Sequence, residues 1–209
     1  MQTRRKLIGS GLAIGAAWPF AQREAYAQDG GDASLFAYRD FTVDASVLQD
    51  ASDREAVIAS LRHQLDIVAD CGARPEIIAF FRGQRITLKA AAGDSGKFNS
   101  NNPGVTINAA VQATEKPIVL HELLHAYHFR VLPERFANPD ILHFYQTALD
   151  NNLYKAGAYV AKNVQEYFAV TGSLYLWGNV DRPPFNRDNL KARQPEYYAW
   201  LGQLFGVVK

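Results

Sequence analysis

The chain reads as an α+β domain, a small twisted sheet followed by a helical second half. Two observations predict this. Strand-like alternation and strand-forming residues are confined to the part of the chain before residue 112. From residue 113 onward, apolar side chains recur at helical spacing almost to the C-terminus.

Taken in order, residues 29–34 form a short polar leader, and 36–47 are rich in strand formers, with Phe41 and Val43 alternating. In 53–70, Ala56, Val57, Leu61, Leu65 and Val68 recur at helical spacing; Gly72 ends this helix and Pro75 follows it. Residues 76–81 and 85–89 read as two strands around Arg82-Gly83-Gln84. Residues 92–104 hold three Gly, three Asn and Pro103 and read as a loop. The strand at 105–111 puts Val105, Ile107, Ala109 and Val111 on one face. A helix over 113–130 follows, with Thr114 as cap, Glu115 at its positive end and Pro117 in its first turn; it stops before Pro133. Further helices are expected at 138–154, 158–172 and 195–205.

The first 27 residues have the three-part layout of an export signal. Arg4, Arg5 and Lys6 open it, an apolar run softened by Gly9, Gly11 and Gly15 follows, and Ala25-Tyr26-Ala27 supplies small residues for cleavage. The paired Arg4-Arg5 before a weak apolar run resembles a twin-arginine signal. The expectation is a signal over 1–27, one domain over 28–209, and a periplasmic or extracellular protein carried across a bacterial inner membrane. The apolar run is short for a membrane span and is interrupted by Pro19, so no stable membrane insertion is expected after cleavage.

The whole chain carries 22 basic and 21 acidic residues. Without residues 1–27 the balance becomes 18 to 20, a formal charge of −2. There is no basic footprint for nucleic acid. The one cysteine, Cys71, ends an apolar-periodic helix and is expected to be a buried, inert thiol.

The chemistry is carried by His121-Glu122-Leu123-Leu124-His125, an H-E-x-x-H match inside the 113–130 helix. With five His and eight Glu in 209 residues, about 0.005 such matches are expected by chance. Residues four apart share a helix face, so both imidazoles reach one metal ion, and Glu122 is placed to serve as general base toward a water. A hydrolytic zinc site takes three protein ligands. The continuation H-x-x-G-x-x-H is absent, since its positions hold His128 and Val131. His143, Asp140, Asp150 and Glu166 remain as candidates. Glu166 fits best, because it lies on a helix otherwise dominated by apolar and aromatic residues, where a carboxylate needs a partner. His128 is expected to pack or support the site.

The pattern resembles the gluzincin metallopeptidases, and within them the zinc peptidase domain of anthrax lethal factor and similar bacterial domains. The segment Asn163-Val164-Gln165-Glu166-Tyr167-Phe168-Ala169, 41 residues beyond His125, matches their Asn-x-x-Glu-aromatic-Phe-Ala segment, and Tyr159 stands seven residues before Glu166. The likeness covers about residues 105–172 and does not extend to the toxin's substrate-binding domains or its substrate. It implies a zincin-like fold, one Zn²⁺ per chain held by His121, His125 and Glu166, and Tyr159 as a hydrogen-bond donor to the developing oxyanion.

The function expected is exported, zinc-dependent hydrolysis of a peptide or protein substrate, with Glu122 as base. The strand at 105–111 is expected to pair with an extended substrate if it is an edge. The alternative is an exported metal-binding or protein-binding domain on the same fold without turnover. The sequence sets no oligomeric state.

Overall fold

The computed structural model describes residues 34–209 except Asp94, Asn102 and Pro103. The export signal expected over 1–27 lies outside the described residues. The N-terminal strand segment is a hairpin, β1 (Leu35–Tyr38) and β2 (Phe41–Asp44), and not one long strand. Arg39 and Asp40 both take positive φ, 50° and 65°, which is the backbone of a two-residue type I′ turn.

Next come α1 (Arg54–Ala69) and α2 (Pro75–Arg82). The second corrects the strand expected at 76–81. Pro75 stands at the first helical position, where its missing N–H costs nothing, and Ile77, Ile78 and Phe81 are buried along one side. Then follow β3 (Ile86–Lys89), β4 (Gly96–Phe98) and β5 (Val105–Asn108). The sheet order is β1-β2-β3-β5-β4, parallel at β2–β3 and β3–β5 and antiparallel at both ends. Thus the expected strand at 105–111 stops at Asn108 and is interior, and the edge strand beside it is β4, which lies within the stretch expected to be loop.

Phe41, Val43, Ile86, Leu88, Val105 and Ile107 of the sheet are buried and join one core with Val57, Leu61, Leu65 and Val68 of α1. Through this core runs α3 (Ile118–Arg130), buried at Val119, Leu120 and every position from Glu122 to His128. A helix apolar on nearly all sides is a core helix. It starts at Ile118 and not at 113, and Thr114 does not cap it. Gln64 of α1 does that work: its Oε1 accepts the Val119 N–H at 3.3 Å and its Nε2 donates to the Lys116 carbonyl at 2.8 Å. This explains why a glutamine is buried there.

The second half is helical as expected, with α4 (Pro139–Asp150), α5 (Val164–Trp177) and α7 (Pro195–Phe205), and it adds a short helix that was not expected, α6 (Arg187–Arg193). Asn138 caps α4 by accepting the Ile141 N–H at 3.1 Å. The helix expected over 158–172 is interrupted. Residues Tyr159–Ala161 make one 3-10 turn, and α5 begins only after Asn163, whose backbone is extended. Against α3, α5 lies close. A Cβ on Gly172 would stand 3.2 Å from Leu124 Cδ1. Cys71 is buried and unpaired, and burial pushes its thiol pKa up, as expected of an inert core thiol. Among the described residues no helix is long and apolar enough to cross a membrane.

Candidate metal centre

Adjacent turns of α3 carry His121 and His125, and the first turn of α5 brings Glu166 against them. The His121 and His125 Nε2 atoms lie 3.1 Å apart. Glu166 Oε2 lies 3.2 Å from the first and 3.5 Å from the second. Ligand atoms bound tetrahedrally to zinc at about 2.05 Å sit about 3.3 Å from one another. The three observed spacings bracket that value. Moreover Oε2 is buried without a directed hydrogen bond. The three atoms therefore converge on a common point between them, and donor set and geometry both fit Zn²⁺.

The same geometry explains the electrostatics. Burial works to raise the Glu166 pKa, but the two imidazoles outweigh it and hold the carboxyl well below its usual range. The helix N-terminus adds to this stabilisation of the anion. The Glu166 backbone is fixed by Asn163, whose side-chain oxygen accepts the Glu166 N–H at 2.8 Å. The Asn-x-x-Glu pattern is thus an N-cap followed by its third residue.

Glu122 lines the same cleft as His121, with the edge strand lying against it. It is 7% exposed. A Cβ on Gly96 would come within 2.7 Å of Glu122 Cγ and 2.9 Å of Oε1, so the strand lies on the carboxylate. Burial raises its pKa above the ordinary carboxylate value, partly offset by the two histidines. Tyr159 reaches the site from the 3-10 turn and not from α5. Its ring lies 6.3 Å from that of His121, and it lines the same cleft as His121 and Glu122. Burial, then the charge of Glu166, push the phenol well above its usual range, so it remains a donor at neutral pH.

The other candidates lie apart. His143, Asp140 and Asp150 are exposed on α4, outside the cluster. His128 is fully buried between Phe136 and Phe168, at ring separations of 5.2 and 4.9 Å, and neither nitrogen has a partner. It is a packed imidazole.

His121, Glu122, Tyr159 and Gly96 line a cleft of about 240 Å³, together with Lys116, Asp181 and Arg182. Sequence reasoning missed Gly96, Lys116, Asp181 and Arg182. They lie in loops or a three-residue strand, where no periodicity marks them.

No protein-family model matches the chain, and no curated protein matches it. Among solved structures, the Pro-Pro endopeptidase PPEP-2 from Paenibacillus alvei is similar, with a TM-score of 0.52 and 21% identity over 72% of this chain and 92% of that one. The likeness shows an α+β zincin-like fold: a five-stranded mixed sheet, the central helix α3 and a helical C-terminal half.

Proposed function

We propose that the chain is an exported zinc metalloendopeptidase of the gluzincin type, acting on a peptide or protein. The observation that supports this most is the near-equilateral triangle of His121 Nε2, His125 Nε2 and Glu166 Oε2, with Glu122 buried beside it. Those three residues would hold one Zn²⁺. Bound there, the ion supplies Lewis acidity, lowering the pKa of water toward ~7 and polarising a peptide carbonyl.

Glu122 accepts the proton of the attacking water and passes it to the leaving amine as the C–N bond breaks. Tyr159 keeps its proton and donates a hydrogen bond to the carbonyl oxygen as charge grows there. Gly96 of the edge strand lies against Glu122. The edge strand β4, and not β5, is the backbone available to pair with an extended substrate. The paired Arg4-Arg5 and the Ala25-Tyr26-Ala27 segment support export. Failure of residues 1–27 to export a folded reporter would remove that part of the reading.

The test is zinc-loaded protein on a peptide mixture that includes Pro-Pro sequences, the bond for which the similar endopeptidase is named. Hydrolysis is expected, with zinc lost in Glu166→Ala and kept in His143→Ala. Zinc at one per chain without turnover would favour the binding-domain alternative, and loss of zinc in His143→Ala alone would refute the ligand set.

A further inference from the structure

One end of the cleft is closed by a loop between α5 and α6 that is firmly built. The Val180 N–H donates to Phe185 O at 2.9 Å and the Phe185 N–H to Arg182 O at 2.8 Å. Asn189 Nδ2 holds Pro184 O at 3.0 Å. At the loop's base, Arg187 donates to the carbonyls of Tyr175 and Leu176 at 2.7 and 2.9 Å. The loop presents Arg182 to the cleft beside His121, Glu122 and Tyr159.

The Arg182 guanidinium is only partly used. One face covers the Tyr159 ring, with Cζ 4.5 Å from its centroid. The Nε–H donates to Asp181 Oδ1 at 3.1 Å. The other oxygen of Asp181 is taken by Lys116 Nζ at 2.9 Å. Neither Nη atom of Arg182 bonds a described residue. A stacked guanidinium held at Nε has a fixed plane, and its free two-nitrogen edge matches the two oxygens of a carboxylate. The surroundings favour an anion. Among the described residues, Lys116, Arg182 and Lys162, whose Nζ is 5.3 Å from the Tyr159 ring, bring three positive charges to this end, and Asp181 pairs with the first two.

We propose that Arg182 is a substrate-carboxylate receptor, so that the cleft selects peptides carrying a carboxylate near the scissile bond. This rests on the peptidase reading above. Arg182 Cζ lies 4.5 Å from the Tyr159 ring centroid and that ring lies 6.3 Å from the His121 ring, so at about 3.3 Å per residue of extended chain the recognised group falls within about three residues of the cleaved bond. The carboxylate is either an Asp or Glu side chain or the substrate's own C-terminus; the two share the same chemistry.

The test uses zinc-loaded full-length protein, wild type, Arg182→Gln and Arg182→Lys. Each digests a proteome-derived peptide library with free or amidated C-termini, and then matched peptide pairs, Glu against Gln and acid against amide. Wild type is expected to favour the carboxylate member by about 10- to 100-fold in kcat/KM. Arg182→Gln should bring that ratio close to one, and Arg182→Lys should keep part of it. Enrichment of Asp and Glu at a fixed distance from cleavage sites identifies the side chain as the source; cleavage at a fixed distance from free C-termini identifies the terminus. Equal kcat/KM for both members in wild type, or an unchanged ratio in Arg182→Gln, overturns the proposal while leaving the peptidase reading intact. If no peptide is cut, the peptidase reading fails. The same pairs then decide by fluorescence anisotropy: preference lost in Arg182→Gln upholds the receptor, and equal affinities overturn it.

Discussion

Asn163 and Glu166 are joined by one hydrogen bond, from the Glu166 N–H to the Asn163 side-chain oxygen at 2.8 Å. It caps α5 and fixes the backbone of the carboxylate that faces His121 and His125. Asn163→Ala is expected to cost about 0.5–2 kcal/mol of stability and to weaken zinc binding, because Glu166 loses its anchor. Asn163→Asp keeps the acceptor and should retain both. Zinc titration against a competing chelator, with denaturant unfolding in parallel, checks this; unchanged zinc affinity in Asn163→Ala would show that the cap does not position the ligand.

Gly96 lies against Glu122, and an added Cβ would meet Cγ at 2.7 Å. The carboxylate is the end of a flexible side chain, so it will move and the strand will not. A displacement near 1 Å at a reacting group costs about 10²-fold in rate. Gly96→Ala should therefore retain its zinc and lose kcat by roughly that factor. Wild-type kcat in this variant would mean that Glu122 has room the structure does not show.

Tyr159 is held by the 3-10 turn, with its ring 6.3 Å from that of His121. Removing one oxyanion donor lowers kcat by roughly 10²–10³. Tyr159→Phe keeps the ring under Arg182, so zinc stoichiometry should remain one per chain and stability should change by less than about 1 kcal/mol. A Phe variant with full kcat would reduce Tyr159 to packing.

What the sequence disclosed follows from where spacing is fixed by covalent geometry. His121 and His125 share a face because a helix turn requires it, and Glu166 stood out as a carboxylate among apolar neighbours. The same rules failed where the deciding partner was distant or the segment short. The start of α3 is set by Gln64, which is 52 residues from Lys116, so Thr114 looked like the cap. Residues 76–81 are too few to show a period, and only Pro75 at the first helical position marked α2 as a helix. Asn163 was read as a residue within a helix running on from Tyr159, when it is the cap that separates them. β4 is three residues in a Gly- and Asn-rich stretch, and nothing in one sequence distinguishes it from loop.

His128 offers a test of the core that is separate from the chemistry. It is buried among aromatics with both nitrogens unpartnered, and burial, aided by the nearby His125, pushes its pKa down to about 3. Between about pH 6.5 and 3 the unfolded chain takes up a proton there that the folded chain does not, so this group costs stability as pH falls, at most about 1.4 kcal/mol per unit. His128→Leu should be more stable than wild type at pH 7.5 by about 1–2 kcal/mol, and the gap should widen at pH 5. Urea midpoints at the two pH values check it; a less stable variant would mean that a hydrogen-bonded role for His128 exists in solution.

The central claim is that Glu122 serves the water while His121, His125 and Glu166 serve the metal. The most direct measurement is peptide hydrolysis by zinc-loaded wild type and zinc-loaded Glu122→Gln at equal, verified zinc content. The account predicts one zinc per chain in both and turnover in wild type only. Full turnover in a zinc-loaded Glu122→Gln preparation would contradict it.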